Sequence, residues 1–284
     1  MAIKLVVDSA SDYVEEEARG LGIELVPMEV RFEEECFLDG FNLSHKEFFE
    51  KLIESSDLPK TSQINEYVFE ECFDRLTRGG DEVIAITLSS KLSGTYSSAE
   101  KAAKKFGGKV RVVDSLSASI GERILCQYAY RMIGEGKGID EICQKLEESK
   151  SNIKVLALLD TLKYLKKGGR ISSVVALTGE VFSIKPVISI VNGEVKMAGK
   201  AVGSKKGNNL LNQLVESSNG IDFSLPFAVG FSGLSDHLLV KYLEDSGQLW
   251  KDKVENIPSY MIGSTIGTHV GPGAIAVAFF AQEK

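Results

Sequence analysis

Three short apolar runs in the first 120 residues end alike, in small polar residues: VVDSASD from Val6, ITLSSKLSGT from Ile86 and VVDSLSAS from Val112. Each precedes a segment patterned as a helix, among them YVEEEARGLG and a helix expected from Ser97 (SSAEKAAKKF). Strands alternating with helices imply right-handed crossovers and a parallel sheet covered on both faces. Uniformly apolar short strands suit that burial. Parallel strands carry their C-terminal ends to one edge, so the hydroxyls of these runs should gather in one crevice. Around Ser93-Gly94-Thr95 the crevice would hold free backbone N–H groups and a helix N-terminus, which together can hold an anion. The competing reading is ordinary helix capping by Ser and Thr. For Asp8 and Asp114 the expectation is turn and cap chemistry, because a fixed carboxylate beside an anion site would repel the anion.

The rest of the first half carries clear punctuation. IELVPMEVRF reads as strand with an edge or bend at Pro27. Ser44-His45-Lys46-Glu47 is a capping box. Lys60-Thr61-Ser62-Gln63 should be a loop before the helix INEYVFEECFDRLTRGG, with Thr61 or Ser62 as its cap. After about residue 152 the pattern changes. KPVISIVNGEVKMAGK reads as a hairpin turning at Asn192-Gly193. Helices are expected in TLKYLKKGGRISS, NNLLNQLVESS and HLLVKYLEDSGQLW, strands in VLALLDT, PFAVGFSG and AIAVAFFA, and a glycine-rich loop from Gly263 to Gly273. The expected architecture is α/β with two domains. Residues 1–155 would form a mostly parallel sheet with helices on both faces, and 156–284 a mixed-sheet α/β domain.

Composition excludes several classes. A net charge of −7 argues against a nucleic-acid binder. No apolar run approaches the roughly 18–20 residues of a membrane span. The N-terminal run is too short, and Asp8 too early, for a signal peptide. The four cysteines form no CxxC pair and the three histidines are scattered, so reduced thiols, a cytoplasmic setting and no metal site are expected. Charge is uneven: Lys150 to Leu210 holds eleven Lys and Arg against three Asp and Glu. Such a segment can be a solvated face or a docking surface for an acidic or phosphorylated partner. Arg170, after Gly168-Gly169, is its sharpest point.

Two residues stand out as chemistry-bearing. His269 lies among the densest glycines, in GSTIGTHVGPG, where a ligand can approach the backbone. Ser93 could be a nucleophile with His269 as base and Asp8 or Asp114 as orienting acid. No GxSxG elbow, Walker A sequence or GxGxxG opening a helix accompanies it.

Six motifs, in order and at similar spacing, resemble the DegV family: Asp8–Asp12 (DSASD), Lys60–Gln63 (KTSQ), Ser89–Tyr96 (SSKLSGTY), Leu165–Ser172 (LKKGGRIS), Lys185-Pro186 and Ile266–Gly273 (IGTHVGPG). The resemblance covers residues 3 to about 280. It implies a bacterial, cytoplasmic, two-domain α/β protein that binds a long-chain fatty acid such as palmitate, stearate or oleate. It implies no enzyme activity and no cofactor of its own. Several members are the acyl-carrying subunit of a fatty acid kinase, whose separate ATP-dependent subunit phosphorylates the bound carboxylate. Carried over, the resemblance gives Thr61, Ser93 and His269 to the carboxylate, with Ser62, Gly94, Thr95 and Thr268 in support. Arg170 and Lys167 would face the kinase. The chain departs from the family where arginines are common after the hairpin, with Val202 and Ser204 in their place, which bears on docking more than on lipid binding. The alternative is a serine-dependent acyl hydrolase or transferase using Ser93 and His269.

Overall fold

A computed structural model describes residues 2–171 and 184–283. Ser172, the last residue of the LKKGGRIS motif that begins at Leu165, lies outside the described residues. Strand β1 (Ile3–Asp8) ends at a buried turn, where the Asp8 carboxylate accepts the Ala10 N–H at 2.9 Å and the Leu88 N–H at 2.8 Å. The turn and cap expectation for Asp8 therefore holds. Helix α1 (Glu15–Leu21) stops at Gly22, whose φ of +69° suits glycine, and β2 (Glu24–Val26) returns parallel to β1. Pro27 is the bend at which the chain leaves this sheet. It enters a small antiparallel one made of β3 (Glu29–Phe32), β4 (Glu35–Leu38) and, after helix α2 (His45–Glu54), β5 (Lys60–Ser62). The Ser44 capping box forms as its sequence directs.

Two expectations are corrected here. Lys60–Ser62 is an edge strand paired with β3, not loop. Helix α3 (Glu66–Thr77) is capped by Asn65, whose Oδ1 accepts the Val68 N–H at 3.1 Å, and not by Thr61 or Ser62. Strand β6 (Glu82–Thr87) then leads to α4 (Thr95–Ala103), which starts two residues earlier than its pattern suggests. Strand β7 (Val110–Asp114) completes a four-stranded parallel sheet of order β2-β1-β6-β7. At its end the Asp114 carboxylate accepts the N–H groups of Ser90 and Leu116.

Helix α5 (Ile120–Gly134) is buried almost all round, from Ile120 through Cys126 and again at Ala129 and Met132. It packs on β1 and β6 on one side. On the other it meets the second sheet, to which α6 (Ile139–Ser149) leads. That sheet comprises β8 (Ile153–Leu158), then, past α7 (Lys163–Gly168), the hairpin β9 (Ile184–Val191) and β10 (Glu194–Val202). Asn192 and Gly193 both take positive φ, the hairpin turn the sequence calls for. Helix α8 (Ser204–Ser217), β11 (Phe227–Phe231), α9 (His237–Asp245), α10 (Gly247–Trp250), β12 (Ser259–Met261), α11 (Ser264–Val270) and β13 (Ile275–Phe280) follow. The order is β10-β9-β8-β13-β11-β12, antiparallel except between β11 and β12. Most of the glycine-rich loop expected at 263–273 is thus helix.

The fold is α/β with a parallel sheet and a mixed sheet, as the alternation implies. One apolar cluster spans both: Leu5, Val7, Ile84 and Ile86 of the first sheet meet, through α5, Val155, Ile188, Ala276 and Phe280 of the second. The division near residue 155 stands as a proposal about sheets rather than about cores.

Candidate functional site

A cavity of about 310 Å³ lies where the mixed sheet, strand β5, α11 and the loops at the C-terminal edge of the parallel sheet converge. Its size falls in the roughly 300–1,000 Å³ range of small-molecule sites. Most of its wall is apolar: Leu88 and Leu92 from the first half, Val155 and Ala157 from β8, Ile188, Ile190 and Val195 from the hairpin, and Ala276 from β13. Alternation along β8 aims Val155 and Ala157 at the same face, and register sets Ala157 opposite both Ala276 and Ile188. Small residues at that crossing leave room that larger ones would fill.

Polar groups line it too, among them Thr61, Gln63, Ser93, Arg170 and His269. Thr61 Oγ1 is 3.2 Å from His269 Nε2, a contact that joins β5 to α11 across 208 residues of chain. Ser93 Oγ lies 2.9 Å from Thr95 Oγ1 and also accepts the Thr95 N–H at 3.3 Å, while Thr95 Oγ1 accepts the Ile64 N–H at 3.3 Å. Gly94 is close-packed: a Cβ there would stand 2.1 Å from Gln63 Oε1. Gly168 plays the same part for the histidine, since a Cβ would stand 2.2 Å from His269 Nδ1.

Burial lowers the His269 pKa to about 4, and the nearby Arg170 guanidinium pushes the same way. The ring is therefore neutral at physiological pH, with one nitrogen donating and one accepting. Its Nδ1 is buried with no hydrogen-bond partner among the described residues. Arg170 reaches over the opening, its Nε donating to the Leu92 carbonyl at 3.3 Å and a terminal NH to the Gly168 carbonyl at 2.9 Å.

Of the residues singled out from sequence, Thr61, Ser93, Gly94, His269 and Arg170 come together at this cavity. Thr95 stands behind Ser93. Ser62 points to the exposed side of β5, and Thr268 Oγ1 is spent within α11 on the Ser264 carbonyl at 2.9 Å. Lys167 is exposed at the end of α7. Val202 lines a shallow outer groove with Lys200 and Lys206, and Ser204 opens α8, both away from the cavity. Neither Asp8 nor Asp114 is bonded to His269, so the orienting acid of a serine triad is missing among the described residues. Among those residues no cluster of His, Cys, Asp or Glu is arranged to hold a metal ion. Gln63 also lines the cavity and Asp12 is buried behind it; the KTSQ and DSASD motifs contain them, but the sequence reading gave neither a role. Thr265 in the lining and the buried Asp39 were missed, because nothing in their local pattern marks a polar residue that acts on a distant segment.

An apolar cavity with a few converging polar groups in its wall has the make-up of a small-molecule site. The chain belongs to the DegV family: the family's sequence model, described as an uncharacterised protein of that family, matches residues 2–282. A DegV domain-containing protein of Deinococcus radiodurans is 31% identical over 282 residues, covering 98% of each chain. A DegV family protein from Thermus thermophilus, described for its fatty acid binding, superposes with a TM-score of 0.89 at 29% identity, covering 99% of this chain and 100% of its own. A Thermotoga maritima protein described as revealing a fatty acid binding function gives 0.83 at 28% identity, covering 99% and 100%.

Proposed function

We propose that the protein binds one long-chain fatty acid, with its carboxylate at Thr61, Ser93 and His269 and its tail along the apolar wall. The observation that carries this reading is the Thr61–His269 contact beside the Ser93 turn, at a cavity otherwise lined by aliphatic side chains. Ser93 Oγ accepts from the Thr95 N–H, and when it also accepts from the Thr95 hydroxyl its own proton is free for a ligand oxygen. Neutral His269 contributes a further donor or acceptor without adding charge. Arg170 supplies the positive charge at the opening. Each buried CH₂ contributes about 0.8 kcal/mol, so the tail supplies most of the affinity and the head group its orientation. The fatty acids described for relatives from Thermus and Thermotoga favour the same ligand class.

The finer reading is that the protein is cytoplasmic, acts as a non-catalytic carrier and presents its ligand's carboxylate to a separate kinase. Arg170 and Lys167 would face that kinase, and Lys200, Lys205 and Lys206 would stand in for the arginines replaced by Val202 and Ser204. Among the described residues no helix is long and apolar enough to cross a membrane. Ser93→Ala separates the carrier from an acyl hydrolase. The carrier loses about ten-fold or more in palmitate affinity and has no ester turnover to lose. A hydrolase would lose turnover of acyl esters instead, and that result would replace this reading.

A further inference from the structure

We infer that Asp39, together with Asp12, positions the head-group site: the two carboxylates fix the start of α11 and thereby set where its other end holds His269. The inference rests on the fatty-acid reading above. A helix leaves its first amides without partners of its own. In α11 three successive amides at the start are taken by two acids from more than 220 residues away. The Gly263 N–H donates to Asp12 Oδ1 at 2.8 Å, the Ser264 N–H to Asp39 Oδ1 at 3.0 Å and the Thr265 N–H to Asp39 Oδ2 at 3.1 Å. The cap residue is Gly263, which has no side chain to cap with, so the cap comes wholly from the other half of the chain.

Asp12 is itself held by its side chain, and Asp39 through its backbone, whose N–H donates to the Met28 carbonyl at 3.0 Å. Asp12 Oδ2 accepts the Ser119 hydroxyl, and the Arg123 guanidinium binds the Asp12 carbonyl at 3.0 Å while lying over the rings of Tyr13 and Tyr260. Asp39 Oδ1 lies 4.0 Å from His45 Nε2. On its far side α11 is pressed against α2, where a Cβ on Gly267 would stand 2.6 Å from the Phe48 ring. Only two turns long, α11 puts Thr265, Ile266, His269 and Val270 into the cavity wall. His269 sits about 6 Å along the axis from Thr265. A shift at the capped end therefore moves the imidazole against Thr61 rather than merely loosening a surface helix.

The test is the ratio of affinities for palmitate and palmityl alcohol, read on the full chain by displacement of a fluorescent fatty acid. The tail is the same in both, so the ratio reports the head-group site and not stability. Asp39→Asn keeps the shape but turns an amide group toward an N–H. The expected result is a fall of about ten-fold in that ratio with alcohol affinity unchanged. An unchanged ratio, or equal losses for both ligands, would overturn the inference. If Asp39→Asn does not fold, Ser264→Pro deletes one of the three N–H groups from the other side. Gly263 is extended (φ −74°, ψ 176°), as the residue before proline must be, and the first helical position tolerates proline. The same two outcomes then decide. A wild-type ratio near one would overturn the fatty-acid reading itself before any variant is compared.

Discussion

Glu122 is a costly side chain to bury. It is fully buried on α5 and neither carboxylate oxygen has a hydrogen-bond partner among the described residues. Burial raises its pKa well above the ordinary value, and Asp8, Asp12 and Asp114 add to the rise. Asp8 and Asp12 are themselves pushed up to about 7, chiefly by burial. Such a group binds its proton more tightly folded than unfolded, so stability is full below the unfolded pKa and is lost as pH rises toward the folded one. Glu122→Gln removes that loss. Relative to wild type the variant should gain about 1.4 kcal/mol per pH unit from about pH 4.5 up to the raised folded value and level off there, measured by denaturant unfolding at several pH values. A difference that does not change with pH would contradict the assignment. His269 has the opposite sign: its folded pKa of about 4 lies below the unfolded value, so its contribution is lost as pH falls from about 6.5 toward 4. Gly168→Ala acts on the same ring. The added methyl group must displace the imidazole from Thr61, so palmitate affinity should fall about ten-fold, and the overpacking should destabilise the fold by about 1–3 kcal/mol. Unaltered binding would place the carboxylate elsewhere.

The hairpin of β9 and β10 is the element that best joins sequence to site. Asn192-Gly193 announces its turn, and Ile188, Ile190 and Val195 then wall the cavity. Its tip docks on the other half of the chain: the Gly193 carbonyl accepts the Ser89 hydroxyl at 2.7 Å, and a Cβ on Gly193 would stand 2.4 Å from that oxygen. Gly193→Ala meets both a φ of +81° and that contact, so it should destabilise by at least about 1 kcal/mol in chemical unfolding; a neutral result would mean the tip is free. Elements like this, and β1, β6 and β7 with their polar ends, are legible because local chemistry and burial point the same way. The segments β5 and α11 are not. Lys60-Thr61-Ser62 has no apolar alternation and becomes a strand only because β3 lies alongside. Residues 263–273 carry four glycines, enough to read as loop, and 264–270 become helix because Asp12 and Asp39 cap them from far away in sequence. The motif residues Thr61, Ser93 and His269 could thus be named from sequence, whereas what brings them together is long-range and could not.

At the scale of the whole molecule, one apolar cluster runs from the parallel sheet through α5 to the mixed sheet, and its Val155, Ala157, Ile188 and Ala276 wall the cavity. A ligand there contacts both halves of the chain, so binding should stabilise the fold as one unit. The measurement that bears most directly on this account is native mass spectrometry of freshly purified protein, followed by organic extraction and identification of what is released. One long-chain fatty acid per chain is expected, lost together with the added mass on extraction. A protein that emerges empty and takes up neither palmitate nor oleate would contradict it.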